Sequence, residues 1–486
     1  MTVTGLLPTA EAFHEAMGRE YYRTGAGLKA EPAFQAIYDR YTELQSDESL
    51  AAAREDGPRA ILEWLVDLRV GRRVAPLEER QLLWEQRAHV RVAGRELSYL
   101  EVPITLQNTM SREARMALDE ARIAVVRDGL EQLRRERFQV EHEVMTALGW
   151  PDYVAGMIEL TGIDLEALGE ACDAVLVETE DMYRDVLARL VKRRIGVPVD
   201  TLVRADVAWA FRADAFDAAF PPDLLMPTAV RQMRELGVDA TQGGRIRFDT
   251  ADRPGKQPRA FCVPVRVPHE VYLVLWPHGG HVDYRTFWHE LGHAVHFAAV
   301  DPDREFHERW LGDNSVTEGF ATLWDGMTMD PGWIRRYTTG VADSGLDDLV
   351  FDLAVNELYL LRRYAAKLRY ELVLHRGDFT AMGDTYAELL SRATGFRYRP
   401  EDALVDVDPG FYAARYLRAW QLSTRLAETF TETFDEDWYR NPRAGAAVLH
   451  LMSRGQADPA DRLVVEATGQ PLGFRPVVRR LTALLT

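Results

Sequence analysis

The chain has 486 residues, 47% hydrophobic and 28% charged, which is the make-up of a globular protein and not of a disordered one. A net charge of −18 disfavours binding to polyanions, so nucleic acid is not an expected partner. No run approaches 18 apolar residues, and Met1-Thr2-Val3-Thr4-Gly5-Leu6-Leu7-Pro8 lacks a basic stretch followed by an apolar one, so a cytoplasmic protein without a membrane segment is expected.

The first hundred residues read as short helices between turn signals at Glu31-Pro32 and Gly57-Pro58. From Ser111, a cap candidate, Met116, Ile123, Val126, Leu130, Leu133, Val140 and Val144 form one apolar stripe, a long helix that Gly149 and Pro151 stop. A second long helix is expected from Asp164 to Lys192-Arg193-Arg194, cations suited to a helix C-terminus. Two cysteines, Cys172 and Cys262, cannot make a disulfide framework and read as buried small hydrophobes.

Near residue 243 the texture changes. Arg245–Asp249 alternates polar and apolar, and Ala260–Val267 and Val271–Trp276 are rich in β-branched and aromatic residues; these are the stretches that read as strands. They lead into Pro277-His278-Gly279-Gly280-His281 and then a helix holding His289-Glu290-Leu291-Gly292-His293. Beyond it, helices are expected from Asp313-Asn314-Ser315 to about Met327, from Asp347 to His375, from Pro409-Gly410 past Leu426, and after Asp458-Pro459. The sum is a mainly α fold with one small β-sheet beside the motif helix.

The H-E-x-x-H pattern makes chemical sense on a helix. Residues four apart share one face, so His289 and His293 can reach a single metal ion while Glu290 addresses a water. Two histidines do not hold zinc firmly, and a catalytic site needs a third protein ligand. The extended H-E-x-x-H-x-x-G-x-x-H pattern is excluded, because His296 stands where the glycine belongs and Ala299 where the last histidine belongs. Glu318, 25 residues after His293, is the alternative. It can also be read as a capping box with Ser315, but with the histidine pair upstream the ligand reading is preferred. Asp325, seven residues further on, can accept the second ring N–H of a ligating histidine, or be a plain exposed acid. His296 is expected to pack or hydrogen-bond. His278 and His281, in the glycine-rich loop, can touch substrate or simply face solvent.

Arg253-Pro254-Gly255-Lys256-Gln257-Pro258-Arg259-Ala260-Phe261-Cys262, the strand to Trp276, Phe287–His296 and Thr317-Glu318-Gly319 resemble the thimet oligopeptidase/oligoendopeptidase family of zinc peptidases, which are gluzincins. The likeness extends to Leu360–Leu368 and to the region of Tyr412. It implies a helical, two-lobed body around a deep channel that admits short peptides, with one zinc ion per chain. The whole chain would then form one helical peptidase unit, residues 1–240 walling the channel and residues 241–486 forming the catalytic core. In such a site zinc activates a water and polarises the scissile carbonyl, while Glu290 serves as general base.

The family also uses a C-terminal aromatic cluster as oxyanion donor. Its counterpart here is Pro409-Gly410-Phe411-Tyr412-Ala413-Ala414-Arg415-Tyr416-Leu417-Arg418-Ala419-Trp420, in which the later tyrosine falls on Arg418 or Ala419 and the upstream histidine near Asp406 or Val407. Tyr412 is left as the donor candidate, or as a packing tyrosine, with Tyr416 on the same face. Arg415 or Arg418 can bind a substrate carboxylate, or be an ordinary surface arginine. Three functions follow: a zinc peptidase acting on short oligopeptides, a zinc amide hydrolase or exopeptidase specialised for one small substrate, and a non-catalytic relative that binds. Oligomeric state is open.

Overall fold

Apolar residues recur at helical spacing along most of the chain, and in the computed structural model those stretches are helices. Residues 2–257, 259–341, 343–379 and 381–486 are described, so Pro258 of the family-like stretch lies outside the described residues. Among the described residues the strands form one two-stranded and one three-stranded sheet, so the fold is mainly α as expected. The chain divides into two compact units whose segments interleave: Met1–Leu68, Asp214–Val350 and Arg415–Arg480 in the first, Arg69–Ala213, Phe351–Ala414 and Leu481–Thr486 in the second.

In the second unit the long helix after Ser111 runs through Arg112–Val125, a π turn at Val126–Leu130 and Glu131–Ala147. The Ser111 hydroxyl accepts the Ala114 N–H at 3.2 Å, the expected cap. Met116, placed on the apolar stripe, is exposed, whereas Arg115, Asp119 and Arg122 are buried. Pairing makes that burial tolerable: Arg115 meets Asp206 at 2.9 Å, and Arg122 meets Asp119 and Asp402 at 2.8 Å each. The helix expected from Asp164 to Arg194 is instead two, Leu165–Glu178 and Glu180–Arg194. At the break, buried Arg362 donates to the Leu176 carbonyl at 2.7 Å and to the Thr179 hydroxyl at 2.6 Å, so groups freed by the interruption are satisfied.

This unit also holds a hairpin that the sequence reading passed over, β1 (His89–Val92) and β2 (Arg95–Ser98), antiparallel with His89 opposite Ser98. Ala93 and Gly94 form its turn with φ of 51° and 75°. Alanine is an unusual first residue for such a turn, which hid the signal.

In the first unit the N-terminal helices are longer than expected. Val3–Gly25 runs through Pro8, and Arg59–Arg87, shared between the units, runs through Gly71 and Pro76. Packing of their apolar faces overrides these local breakers. Strands β3 (Ile246–Asp249), β4 (Phe261–Arg266) and β5 (Glu270–Val274) form a sheet in the order β3-β5-β4, with β5 parallel to β3 and antiparallel to β4. The link from β3 to β4 is held by Lys256, whose buried ammonium donates to the carbonyls of Asp249, Ala251 and Leu275 and to the Asp249 carboxylate, all at 2.8–3.1 Å. Behind the sheet lies a core with Trp288, Trp324 and Trp333 fully buried. Gln232 accepts both the Trp288 and Trp333 indole N–H groups, at 2.7 and 2.9 Å, so neither polar edge is left unpaired.

Candidate metal centre

The motif lies on the helix His281–Ala299, and Glu318 on the helix Asn314–Gly326. Asp313 caps the second helix through the Ser315 N–H at 2.9 Å, which frees Glu318 from the capping-box role. The two helices pack at Gly292. A Cβ there would stand 2.6 Å from Ala321 Cα and 3.0 Å from the Phe320 carbonyl, so only glycine permits this approach. Gly319 plays a similar part on the other side, where a Cβ would meet Leu422 at 2.6 Å. The glycine inside the motif is thus what brings Glu318 up to the histidines.

His289 Nε2 lies 3.3 Å and His293 Nε2 3.6 Å from Glu318 Oε2, and one ligand atom from each of the three residues falls within 4.8 Å of the others. Ligands about 2.0–2.1 Å from a tetrahedral ion are separated by roughly 3.3–3.4 Å, so these spacings fit a shared ion. Each imidazole is held by its other nitrogen: His289 Nδ1 by Asp325 at 2.9 Å and His293 Nδ1 by the Thr317 hydroxyl at 2.9 Å. With protons on both Nδ1 atoms, both Nε2 lone pairs point at the common position. The sequence reading placed Asp325 here and missed Thr317, although its place beside Glu318 was the available signal. Asp325 in turn faces Arg285 at 3.4 Å.

Charge completes the picture. Burial alone would lower His289, but Asp325 and Glu318 outweigh it and raise its pKa to about 10. Burial would raise Glu318, yet the two histidines hold it well below the usual carboxylate range. The cluster therefore favours positive charge at its centre, which suits a shared cation. Glu290 is pushed upward by burial and accepts the N–H of Cys262, on the sheet's outer strand β4, at 2.8 Å.

The remaining candidates separate. His281, expected in an open loop, is buried at the start of the motif helix, edge-on to Phe220 and 3.3 Å from the Thr328 carbonyl. Burial lowers its pKa to about 3, so it is a neutral packing residue and not a substrate contact. His278 is exposed, its ring 4.9 Å from Trp276. His296 is buried against Phe320, 3.2 Å from the Gly455 carbonyl.

Neither arginine of the C-terminal segment is a surface residue. Arg415 is buried against Glu63 at 2.5 Å, and Arg418 binds Asp313 at 3.0 Å and Asp461 at 2.8 Å. Arg418 also donates to the Ser315 hydroxyl at 3.3 Å, so it braces the start of the helix that carries Glu318. Their charges are spent on these carboxylates, which removes the substrate-carboxylate reading of both. Tyr412 and Tyr416 are half-buried on the helix Tyr412–Phe434, Tyr416 in the first unit and Tyr412 in the second.

No family model matches the chain, and no curated protein sequence matches it either. Solved structures do. A crystal structure from Bacillus anthracis strain Ames, assigned as an oligoendopeptidase F, superposes with a TM-score of 0.65 at 16% identity, covering 99% of this chain and 82% of that one. A 3.1 Å X-ray structure with the same assignment gives 0.65 at 14% identity, covering 96% and 85%. Over nearly its whole length the chain has the fold of these oligoendopeptidase F structures, as the sequence resemblance implied.

Proposed function

We propose that the chain is a zinc metallopeptidase that hydrolyses short oligopeptides. The observation that carries this reading is the convergence of His289 Nε2 and His293 Nε2 on Glu318 Oε2, with both Nδ1 atoms tied back to Asp325 and Thr317. The donor set N, N, O is that of catalytic zinc. When bound, zinc supplies the Lewis acidity that polarises a scissile carbonyl and acidifies a water. Glu290 would take the proton of an attacking water and pass it to the leaving amine, a task suited to a carboxylate whose burial raises its proton affinity. Asp325 and Thr317 keep both rings in one tautomer. Tyr412 is the proposed oxyanion donor on the strength of the sequence resemblance, and His278 and Tyr416 are proposed substrate contacts.

An exopeptidase reading a terminal carboxylate through Arg415 or Arg418 loses its motive, since both guanidiniums are buried in ion pairs. Metal analysis of protein purified without chelator is expected to find about one zinc per chain. Incubation with a mixed peptide library, followed by mass spectrometry, should show chelator-sensitive cuts at interior positions. Absence of zinc ends both the peptidase and the amide-hydrolase readings. Zinc without cleavage of any peptide points to a non-catalytic binder.

A further inference from the structure

The segment Leu404–Phe411, which delivers Tyr412 to its helix, ends on two consecutive left-handed residues. Gly410 has φ 66° and Phe411 φ 52°. Glycine adopts that conformation freely; a bulky aromatic residue does so only when its surroundings impose it. A strained residue next to a proposed functional side chain prompts the question of what imposes it.

The surroundings, all within the second unit, are unusually directive. Arg134 is buried and donates to the carbonyls of Leu404 and Val407. Lys367, also buried, binds the Asp408 carboxylate at 2.6 Å. Glu371, one helical turn along and 3.9 Å from the Lys367 ammonium, accepts the Asp408 N–H at 3.3 Å. Arg363 pairs with Asp406, which also accepts the Tyr386 hydroxyl at 2.7 Å. The Tyr153 hydroxyl accepts the Gly410 N–H at 3.1 Å and donates to buried Glu141 at 3.2 Å. The Phe411 ring then packs on His375 and Tyr153, with centroids 5.0 and 5.9 Å away. Side chains from four separate helices thus fix one short loop, through its backbone groups and its own acids.

This also accounts for part of the family-like stretch Leu360–Leu368, which lies far from the metal motif in sequence. Two of its cations, Arg363 and Lys367, are spent on Asp406 and Asp408. We propose that Arg134, Tyr153, Lys367 and Glu371 form a bracket that holds the left-handed Gly410–Phe411 corner and thereby sets where Tyr412 begins its helix. The four are positioning residues, and their catalytic consequence rests on the reading of Tyr412 as oxyanion donor.

The test uses full-length, zinc-loaded protein carrying Tyr153→Phe, which removes the acceptor of the Gly410 N–H with little change of shape, or Lys367→Met. Amide hydrogen exchange by mass spectrometry is followed over residues 404–412, with the motif helix as internal reference, alongside zinc content and peptide turnover. In both variants exchange in 404–412 is expected to quicken while the motif helix and zinc content stay as they were. Turnover is expected to fall by about 10–10²-fold at unchanged KM, the effect of a misplaced group. That loss should disappear when the same changes are made in a Tyr412→Phe background, because coupled residues are not additive. Unchanged exchange over 404–412 in both variants overturns the bracket. Faster exchange with losses that add fully to those of Tyr412→Phe overturns the placement of Tyr412. Full activity of Tyr412→Phe alone overturns the donor reading instead, and the exchange data then still decide the bracket.

Discussion

The candidate metal centre and the corner before Tyr412 are built in opposite ways. At the centre, the proposed ligands and the acid behind them come from two helices and the pitch of each does the placing: His289 and His293 one turn apart, Glu318 and Asp325 two turns apart. The close approach of Gly292 to Ala321 lets the two rows meet. At the corner no regular element does the placing, and residues as distant as Arg134, Tyr153 and Lys367 hold a few residues of irregular chain. A site made of helical pitch is specified by spacing; a site made of brackets is specified by partners scattered through the sequence.

Glu290→Gln is expected to lower turnover by about 10²–10⁴-fold with zinc content unchanged, since it removes a proton carrier and no ligand. Loss of zinc in that variant would show that Glu290 holds the centre together. Asp325→Ala, which frees His289 Nδ1, is expected to weaken zinc binding by about 10–100-fold in a chelator competition, a change the corner variants should not share. Gly292→Ala tests the contact between the two helices. It should cost about 1–3 kcal/mol of stability by denaturant titration and weaken zinc binding, because a Cβ 2.6 Å from Ala321 Cα must push the Glu318 helix away.

The smallest effect concerns His281. Its folded pKa, lowered by burial from 6.5 to about 3, means the unfolded chain binds more protons between those values, so it contributes stability that is lost as pH falls from about 6.5 toward 3. His281→Gln should make the midpoint of urea unfolding less sensitive to acid over that window. An unchanged acid dependence would place the titrating group elsewhere, with half-buried His142, lowered to about 4, the next to test.

This difference also explains what was legible beforehand. The helical class, the three-strand sheet and the ligand candidates were readable because hydrophobic period, β-branched runs and the spacing of His289, Glu290, His293 and Glu318 are local. Asp325 was readable for the same reason, lying on the Glu318 face. The buried ion pairs were not. Arg115, Arg122, Arg415 and Arg418 look like surface residues until Asp206, Asp402, Glu63 and Asp313 arrive from far along the chain. His281 was misplaced because its glycine-rich neighbours suggest a loop, whereas Gly280, at φ 87°, is the last residue before the helix. The hairpin at Ala93-Gly94 escaped because its turn lacks the usual asparagine or aspartate.

Lys256 gives the first unit a cationic post of a fixed kind. Its ammonium occupies a nest of three carbonyls and one carboxylate such as a small inorganic ion would fill, but it is tethered to the backbone and cannot be exchanged. A chelating agent that strips the proposed metal from the histidine cluster would leave this post in place, and the sheet whose outer strand meets Glu290 would keep its anchorage. Demetallated protein should accordingly stay folded there and recover its activity on simple readdition of metal, with no refolding step in between.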